Sequence, residues 1–284
     1  MKIHHGDVAL ITGASRGLGR HIALALAGRG MNVVLAARNS GGLEDVAASV
    51  RAATGVSVST VVVDLSDRGQ AASLVQRTLD LTGRIDVLVN NAGIEAACRP
   101  EEADLDELGD MTDVNLLAPM LLTRTALPGM LDRGRGHIVN MSSMSGLVAS
   151  AYQESYSATK FGLVGYTRAL RMTAQDRGWN VSASVICPGF MAGDGMYATM
   201  QKEFGVVAPK PAGDMPADAV GVAVVEAVEK DLPDVLVMRG APRMIAVASM
   251  AAPRLFERMT SRADLAAPFR TVAEHRSTQR NGDG

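Results

Sequence analysis

The chain holds only two cysteines, Cys98 and Cys187, in 284 residues. They lie far apart and match no metal-ligand spacing. Neither a disulfide framework nor a metal site is expected, and both read as small core residues of a reducing compartment. Aromatic residues make up 4% of the sequence, with a single tryptophan. That scarcity speaks against a base-stacking surface for nucleic acid. Charge of neither sign is in surplus: the net charge is −2. No general attraction to nucleic acid or anionic membranes follows from such a balance. No apolar run approaches the length of a membrane span, and residues 1–7 hold no apolar segment of a secretory signal. The expectation is a soluble cytoplasmic protein.

What is present suffices for a sizeable core. Hydrophobic residues make up 47% of the chain and charged residues 20%. Short apolar runs alternate with amphipathic stretches. Strands are predicted at 8–12, 32–37, 57–63, 86–89, 137–141, 181–186 and 235–238. Helices are predicted at 18–29, 42–53, 68–82, 105–133, 155–177 and 216–230, with Pro119 and Pro128 as breaks or starts within the fourth. The β-α-β-α order implies an α/β fold, a doubly wound parallel sheet of Rossmann type with about seven strands and helices on both faces. No internal repeat or linker divides it. Residues 1–240 are expected to form one catalytic domain, with an irregular Gly-, Met- and Pro-rich lid at 190–213. Residues 241–270 read as an amphipathic extension and 271–284 as a disordered polar tail.

The first strand runs into Thr12-Gly13-Ala14-Ser15-Arg16-Gly17-Leu18-Gly19. Glycines there allow a sharp turn and let a phosphate approach the following helix, whose free N–H groups and dipole favour an anion. The spacing is not G-x-G-x-x-G, and structural turns use the same residues. The position between a first strand and a first helix is what points to a nucleotide. The second strand ends Ala36-Ala37-Arg38-Asn39, without the carboxylate that usually takes a ribose 2′-hydroxyl. Arg16 and Arg38 could instead flank a 2′-phosphate, a group suited to planar guanidinium ions. The cofactor expected is NADP(H).

Tyr156 and Lys160 are four apart on a predicted helix and share a face. A phenol with an ordinary pKa near 10 is a poor base, and a neighbouring ammonium favours the phenolate. The pair can therefore act as a general acid/base. The same spacing also occurs on solvated helix faces. Ser143, upstream at the end of the fifth predicted strand, is what supports the catalytic reading.

The ordered set of motifs resembles the short-chain dehydrogenase/reductase family over about residues 8–189. It comprises T-G-x-x-x-G-x-G at 12–19, Asp64, Asn90-Asn91-Ala92-Gly93, Asn115, Ser143, Tyr156-x-x-x-Lys160 and Pro188-Gly189. The resemblance implies a catalytic set of Asn115, Ser143, Tyr156 and Lys160. Among Ser142, Ser143 and Ser145, it is Ser143 that stands thirteen positions before the tyrosine, as in the family, with Gly146 three later. Asn115, by resemblance, sits on a helix distortion and holds a water in a proton relay from Tyr156 through the ribose hydroxyl and Lys160. By its residue type alone it also fits a plain helix position or a cap. The cofactor contacts implied are Gly13, Ser15, Arg16, Gly17, Leu18, Gly19, Arg38, Asp64, Leu65, Asn91, Ala92, Gly93, Pro188, Gly189 and Met191, besides Tyr156 and Lys160. The activity implied is hydride transfer between the nicotinamide and a carbonyl or secondary alcohol. A cofactor-binding scaffold without turnover is the alternative.

Two regions depart from the family pattern. Where the family often has a threonine four positions past the glycine of Pro188-Gly189, this chain has Gly193. Phe190, Met191, Met196, Tyr197 and Met200 fit either a hydrophobic substrate pocket or simple packing of the lid. Beyond 240, residues 243–262 read as one amphipathic helix, and 241–270 carry five arginines against two acids. Such a helix packs on its own subunit, docks on a dimer mate or lies on a membrane surface. A homodimer through the long helices is expected, with a tetramer the alternative. The partner expected is a small-molecule carbonyl or alcohol, not nucleic acid.

Overall fold

The computed structural model describes residues 1–209 and 212–282. Residues 210–211 of the expected lid and 283–284 of the expected tail lie outside the described residues. The chain order is β1 (Val8–Thr12), α1 (Gly17–Ala27), β2 (Asn32–Ala37), α2 (Ser40–Thr54), β3 (Val58–Val62), α3 (Arg68–Thr82) and β4 (Val87–Asn90). Then come α4 (Leu105–Thr112), α5 (Ala118–Asp132), β5 (Gly136–Met141), α6 (Glu154–Asp176) and β6 (Val181–Pro188). The last third holds β7 (Phe190–Ala192), α7 (Met196–Phe204), β8 (Asp214–Pro216), α8 (Asp218–Lys230), β9 (Asp234–Val237), α9 (Pro242–Ala251), α10 (Pro253–Arg262) and α11 (Ala267–Gly282).

Seven strands form one parallel sheet in the order β3-β2-β1-β4-β5-β6-β9. All five residues of β1 are buried, as expected of a strand covered on both faces. Its side chains alternate between two cores. Ala9 and Ile11 join the cluster under α1, α2 and α8, while Val8 and Leu10 join the one under α3 and α5. Each fully buried Leu or Ile side chain contributes about 1.5–3 kcal/mol. The order reverses beside β1, between β1 and β4, and the crevice at the strand C-termini there is where such folds bind ligands.

The expected helix at 105–133 is interrupted, and Pro119 stands in the first turn of its second part, α5, as a helix start. A π-helical stretch, Asp113–Leu117, separates α4 from α5, and Pro128 is carried inside α5. The expected single helix at 243–262 is two helices, broken at Ala252 because Pro253 cannot continue the first. Its apolar stripe is not packed away: Met244, Val247, Met250, Leu255 and Met259 are all exposed. The expected disordered tail at 271–284 is corrected for its described part, which lies in α11. Val272 and Ala273 are buried there, with Phe269 one turn earlier, and Phe269 and Val272 join a cluster with Tyr197, Met200 and Val206 from the lid. Arg276 pairs with Glu107 of α4 at 2.5 Å, and Ser277 Oγ donates to Glu102 at 2.9 Å. These anchors outweigh the polarity of the tail sequence. The lid also carries order: β7 and β8 form a two-stranded parallel sheet, and α7 follows β7.

Candidate active site

The C-terminal ends of the central strands open into one cavity of about 620 Å³. That volume is ordinary for a small-molecule site. The turn after β1 forms one end of it. Gly13 has φ +64°, and a Cβ there would lie 2.7 Å from the Ala92 Cα. A Cβ on Gly19 would fall 2.3 Å from the Gly13 carbonyl oxygen. Only glycine lets the turn and α1 approach this closely. Thr12 Oγ1 accepts from the backbone N–H groups of Asn91 and Ala92, each at 3.0 Å, and Asn91 Nδ2 donates to the Thr12 carbonyl at 2.9 Å. The turns after β1 and β4 are thereby locked together.

The N-terminus of α1 carries no side-chain cap, and no acidic residue stands in its first turn. Its free N–H groups are left for a ligand. Arg16 and Arg38 both line the cavity and are exposed. Among the described residues neither pairs with an acid, whereas fifteen ion pairs occur elsewhere. Asn39, in the place of the usual carboxylate, caps α2 by accepting from the Gly42 N–H at 2.9 Å. Ser15, Gly17, Leu18, Asp64 and Leu65 line the same end, and Asn91, Ala92 and Gly93 the middle. Asp64 is held in a turn, accepting from the Ser66 N–H at 3.0 Å and its hydroxyl at 2.9 Å. Pro188, Gly189 and Met191 border the far end. Gly19 and Asn115 are not on the cavity wall; they shape it from behind. This cradle, an uncapped helix start and two unpaired guanidinium groups fit a phosphate-bearing dinucleotide.

Ser143, Tyr156 and Lys160 meet on the cavity wall. Ser143 follows β5 after Ser142 and caps a short 3₁₀ turn, accepting from the Ser145 N–H at 3.1 Å. Tyr156 and Lys160 lie one turn apart near the start of α6, both buried. Lys160 Nζ donates to the Met141 carbonyl at 3.0 Å. Burial lowers its pKa to about 8, against the opposing pull of Cys187 and Glu95. Burial raises the Tyr156 phenol well above its ordinary value; the Glu95 carboxylate raises it further, and a hydrogen bond with Ser143 works the other way. The sequence leads one to expect a lysine that lowers the tyrosine. Instead desolvation dominates, and the phenol is held neutral.

Asn115 lies in the π-helical stretch and is fully buried. Its Oδ1 accepts from the Ile94 N–H at 2.9 Å, and its Nδ2 donates to the Ile94 carbonyl at 2.8 Å. A Cβ on Gly93 would lie 3.3 Å from Asn115 Oδ1 and 3.4 Å from Lys160 Nζ, so the two side chains converge on that glycine.

A family model described as short chain dehydrogenase matches residues 7–203. The chain belongs to the short-chain dehydrogenase/reductase family. The ketoacyl reductase HetN of Nostoc sp. is 40% identical over 232 residues, which is 82% of this chain and 78% of that protein. A metagenomic short-chain oxidoreductase solved with NADP is 32% identical, covers 82% of this chain and 97% of its own, and has a TM-score of 0.69. A short chain dehydrogenase/reductase from Burkholderia phymatum solved with NAD is 26% identical, covers 90% and 96%, and has a TM-score of 0.79. The family thus includes structural neighbours with either nicotinamide cofactor.

Several residues of the cavity wall were not singled out from the sequence. Glu95 follows the Asn90-Asn91-Ala92-Gly93 motif by two positions, and Gln153 precedes Tyr156 by three. Their spacing from known motifs was the available signal. Leu265, Phe269 and Ile245 of the C-terminal segment also reach the cavity, and nothing local in the sequence announces that. The lid residues Phe190, Met191, Met196, Tyr197 and Met200 line the cavity, and the ring of Phe190 stands edge-on to Tyr197 at 4.9 Å and stacks on Phe269 at 6.0 Å. These side chains therefore both line the cavity and pack the lid together. Gly193 and Gly195 have φ of +85° and +93°. Between them Asp194 lies 3.3 Å from His21 of α1, which brings the start of the lid over the glycine-rich turn.

Proposed function

We propose that the protein is an NADP(H)-dependent carbonyl reductase for an apolar small molecule, with Asn115, Ser143, Tyr156 and Lys160 as its catalytic set. The observation that carries this is one cavity lined by Tyr156, Ser143 and Lys160 at one end and by the unpaired Arg16 and Arg38 at the other. The bound nicotinamide would supply or accept the hydride. Ser143 orients the substrate oxygen by hydrogen bonding. Tyr156, neutral in the buried site, donates its phenolic proton to that oxygen during reduction and takes it back during oxidation. Lys160, tied to Met141, places a positive charge beside the phenol and opposes its desolvation as the phenolate forms. Asn115 fixes the backbone of Ile94 and with it the floor beneath Gly93.

The apolar lid and the ring of Phe269 favour a hydrophobic substrate body. The name ketoacyl reductase carried by the 40% identical relative agrees with a keto substrate and with reduction as the working direction. Arg16 and Arg38, with no acid at the end of β2, favour NADP(H) over NAD(H). A silent scaffold would be expected to have lost Ser143, Tyr156 or Lys160, and all three are present. A cytoplasmic homodimer belongs to the same reading; Phe161 and Met172 of α6 are exposed on the single chain and available to a second copy.

The deciding experiment follows NADPH oxidation over a panel of ketones and aldehydes, with NADH as control. Turnover of at least one apolar ketone, faster with NADPH, is the expected result. No turnover of any member would sink the reductase reading, and equal rates with NADH would sink the cofactor assignment.

A further inference from the structure

Glu95 is a cavity acid that cofactor binding and proton transfer leave unused. It shares the wall with Tyr156, near enough for its charge to act on the phenol. Its Oε1 accepts a hydrogen bond from Gln153 Nε2. Gln153 is itself buried, and its Oε1 accepts from Ser145 Oγ at 3.3 Å. The amide is therefore oriented with its N–H toward the carboxyl. Among the described residues the other oxygen, Glu95 Oε2, has no hydrogen-bond partner and no cation in ion-pair contact, and it opens to the cavity.

An accessible carboxyl oxygen on the wall of a mostly apolar pocket is placed to accept a hydrogen bond from a ligand donor. Burial already lifts its pKa to about 7, against the hydrogen bond from Gln153 and the charge of Lys160. We propose that Glu95 is a specificity residue of the substrate pocket, whose open oxygen accepts a hydrogen bond from a hydroxyl that the substrate carries near its reacting carbonyl. The preferred substrate is then a hydroxy ketone with an apolar remainder, and in the reverse direction the corresponding diol. This rests on the carbonyl-reductase reading above. A hydroxyl fits better than an ammonium, because burial already disfavours the charged form of Lys160 in the same pocket. A substrate carboxylate is disfavoured by like charge. Deprotonated, Glu95 only accepts, so its preference for a donor strengthens as pH rises through neutrality.

The test compares a hydroxy ketone with the matched ketone lacking the hydroxyl. Wild-type protein should favour the hydroxylated member by roughly tenfold or more in kcat/KM, since a pocket built around a hydroxyl discriminates against its absence. Glu95→Leu should bring that ratio to about one, mainly by raising KM for the hydroxy ketone. The ratio carries the result, because both substrates use the same Tyr156. Glu95→Gln keeps the shape and guards against a folding defect; it should abolish the pH dependence of the ratio between roughly pH 6 and 8. Calorimetric titration of the same two ketones into NADPH-saturated protein reads the preference without turnover. A wild-type ratio near one, or a ratio unchanged in Glu95→Leu, overturns the role of Glu95. If no ketone turns over but the affinity difference persists and depends on Glu95, the reductase reading fails and the recognition role stands.

Discussion

Lys160 Nζ lies 5.5 Å from the centre of the Tyr156 ring, while its hydrogen bond goes to the Met141 carbonyl at 3.0 Å. The lysine is thus pinned to the end of β5, and the phenol is free to point at a ligand. Burial keeps that phenol protonated, the form that can donate to a carbonyl oxygen. Tyr156→Phe removes the proton and little else. It should lower kcat by about 10²–10⁴-fold, the usual contribution of a positioned general acid. NADPH affinity, read by fluorescence titration, should stay within a few-fold. A variant retaining full kcat would remove Tyr156 from the mechanism.

In the proposed reading, Arg16 and Arg38 set the cofactor choice. Both are exposed at the cavity and unpaired among the described residues, so their guanidinium groups need no rearrangement to meet a phosphate. Hydrogen bonds to a charged group contribute about 1.5–3 kcal/mol each. The double variant Arg16→Ala/Arg38→Ala should therefore weaken NADPH binding by on the order of 10²-fold or more. NADH, which lacks the 2′-phosphate, should bind nearly as before. Parallel titrations with the two cofactors measure this, and an equal loss for both would show that the arginines do not read the 2′-phosphate.

The sheet, and the order of motifs along it, were legible because each feature is local. A strand of five buried residues followed by glycines, or Tyr and Lys four apart, is written in adjacent positions. What escaped depends on contacts distant in sequence. The tail reads as polar, yet Phe269, Val272 and Arg276 are held by Tyr197, Met200 and Glu107, which no local pattern reveals. The tuning of Tyr156 escaped for the same reason. Helical spacing shows the lysine, but the desolvation and the Glu95 carboxyl that raise the phenol come from the packed cavity. Of the two prolines, Pro119 starts α5 and Pro128 is carried inside it, while the π-helical stretch around Asn115 is the helix distortion that the family resemblance implied.

The buried ammonium of Lys160 gives stability a dependence on pH whose sign is fixed. Its pKa is lowered from 10.5 to about 8 in the folded protein, burial being the main cause. Between those values the unfolded chain binds the extra proton and the folded chain does not. Stability therefore rises with pH through this window, and the full penalty is present below pH 8. The whole shift corresponds to about 3 kcal/mol. Lys160→Met removes the penalty together with the hydrogen bond to Met141. Comparing urea denaturation of the two proteins at pH 7 and pH 10, the wild type should gain on the variant at the higher pH. A difference independent of pH would mean that the ammonium is not desolvated in the folded state.

Phe269 joins the C-terminal helix to the cavity, at the end proposed to take the substrate. It lines the cavity, stacks on Phe190 at 6.0 Å, and is buried with Val272 against Tyr197 and Met200. The glycine-rich turn and the Tyr156 site lie on other elements. Removing residues 267–284 should therefore open the apolar end of the pocket without touching the cofactor end. KM for an apolar ketone should rise by about 10–100-fold, the effect of losing one aromatic wall of a hydrophobic site, while NADPH affinity changes little. Phe269→Ala isolates the side chain from the rest of the helix. It should reproduce most of the KM effect and cost about 3 kcal/mol or less of stability, since the ring is buried in a peripheral cluster rather than under the sheet. Steady-state kinetics with one apolar and one small polar ketone separate the two contributions. A rise in KM confined to the apolar substrate assigns Phe269 to the pocket wall. An equal rise for both, or none, would show that α11 serves the fold alone.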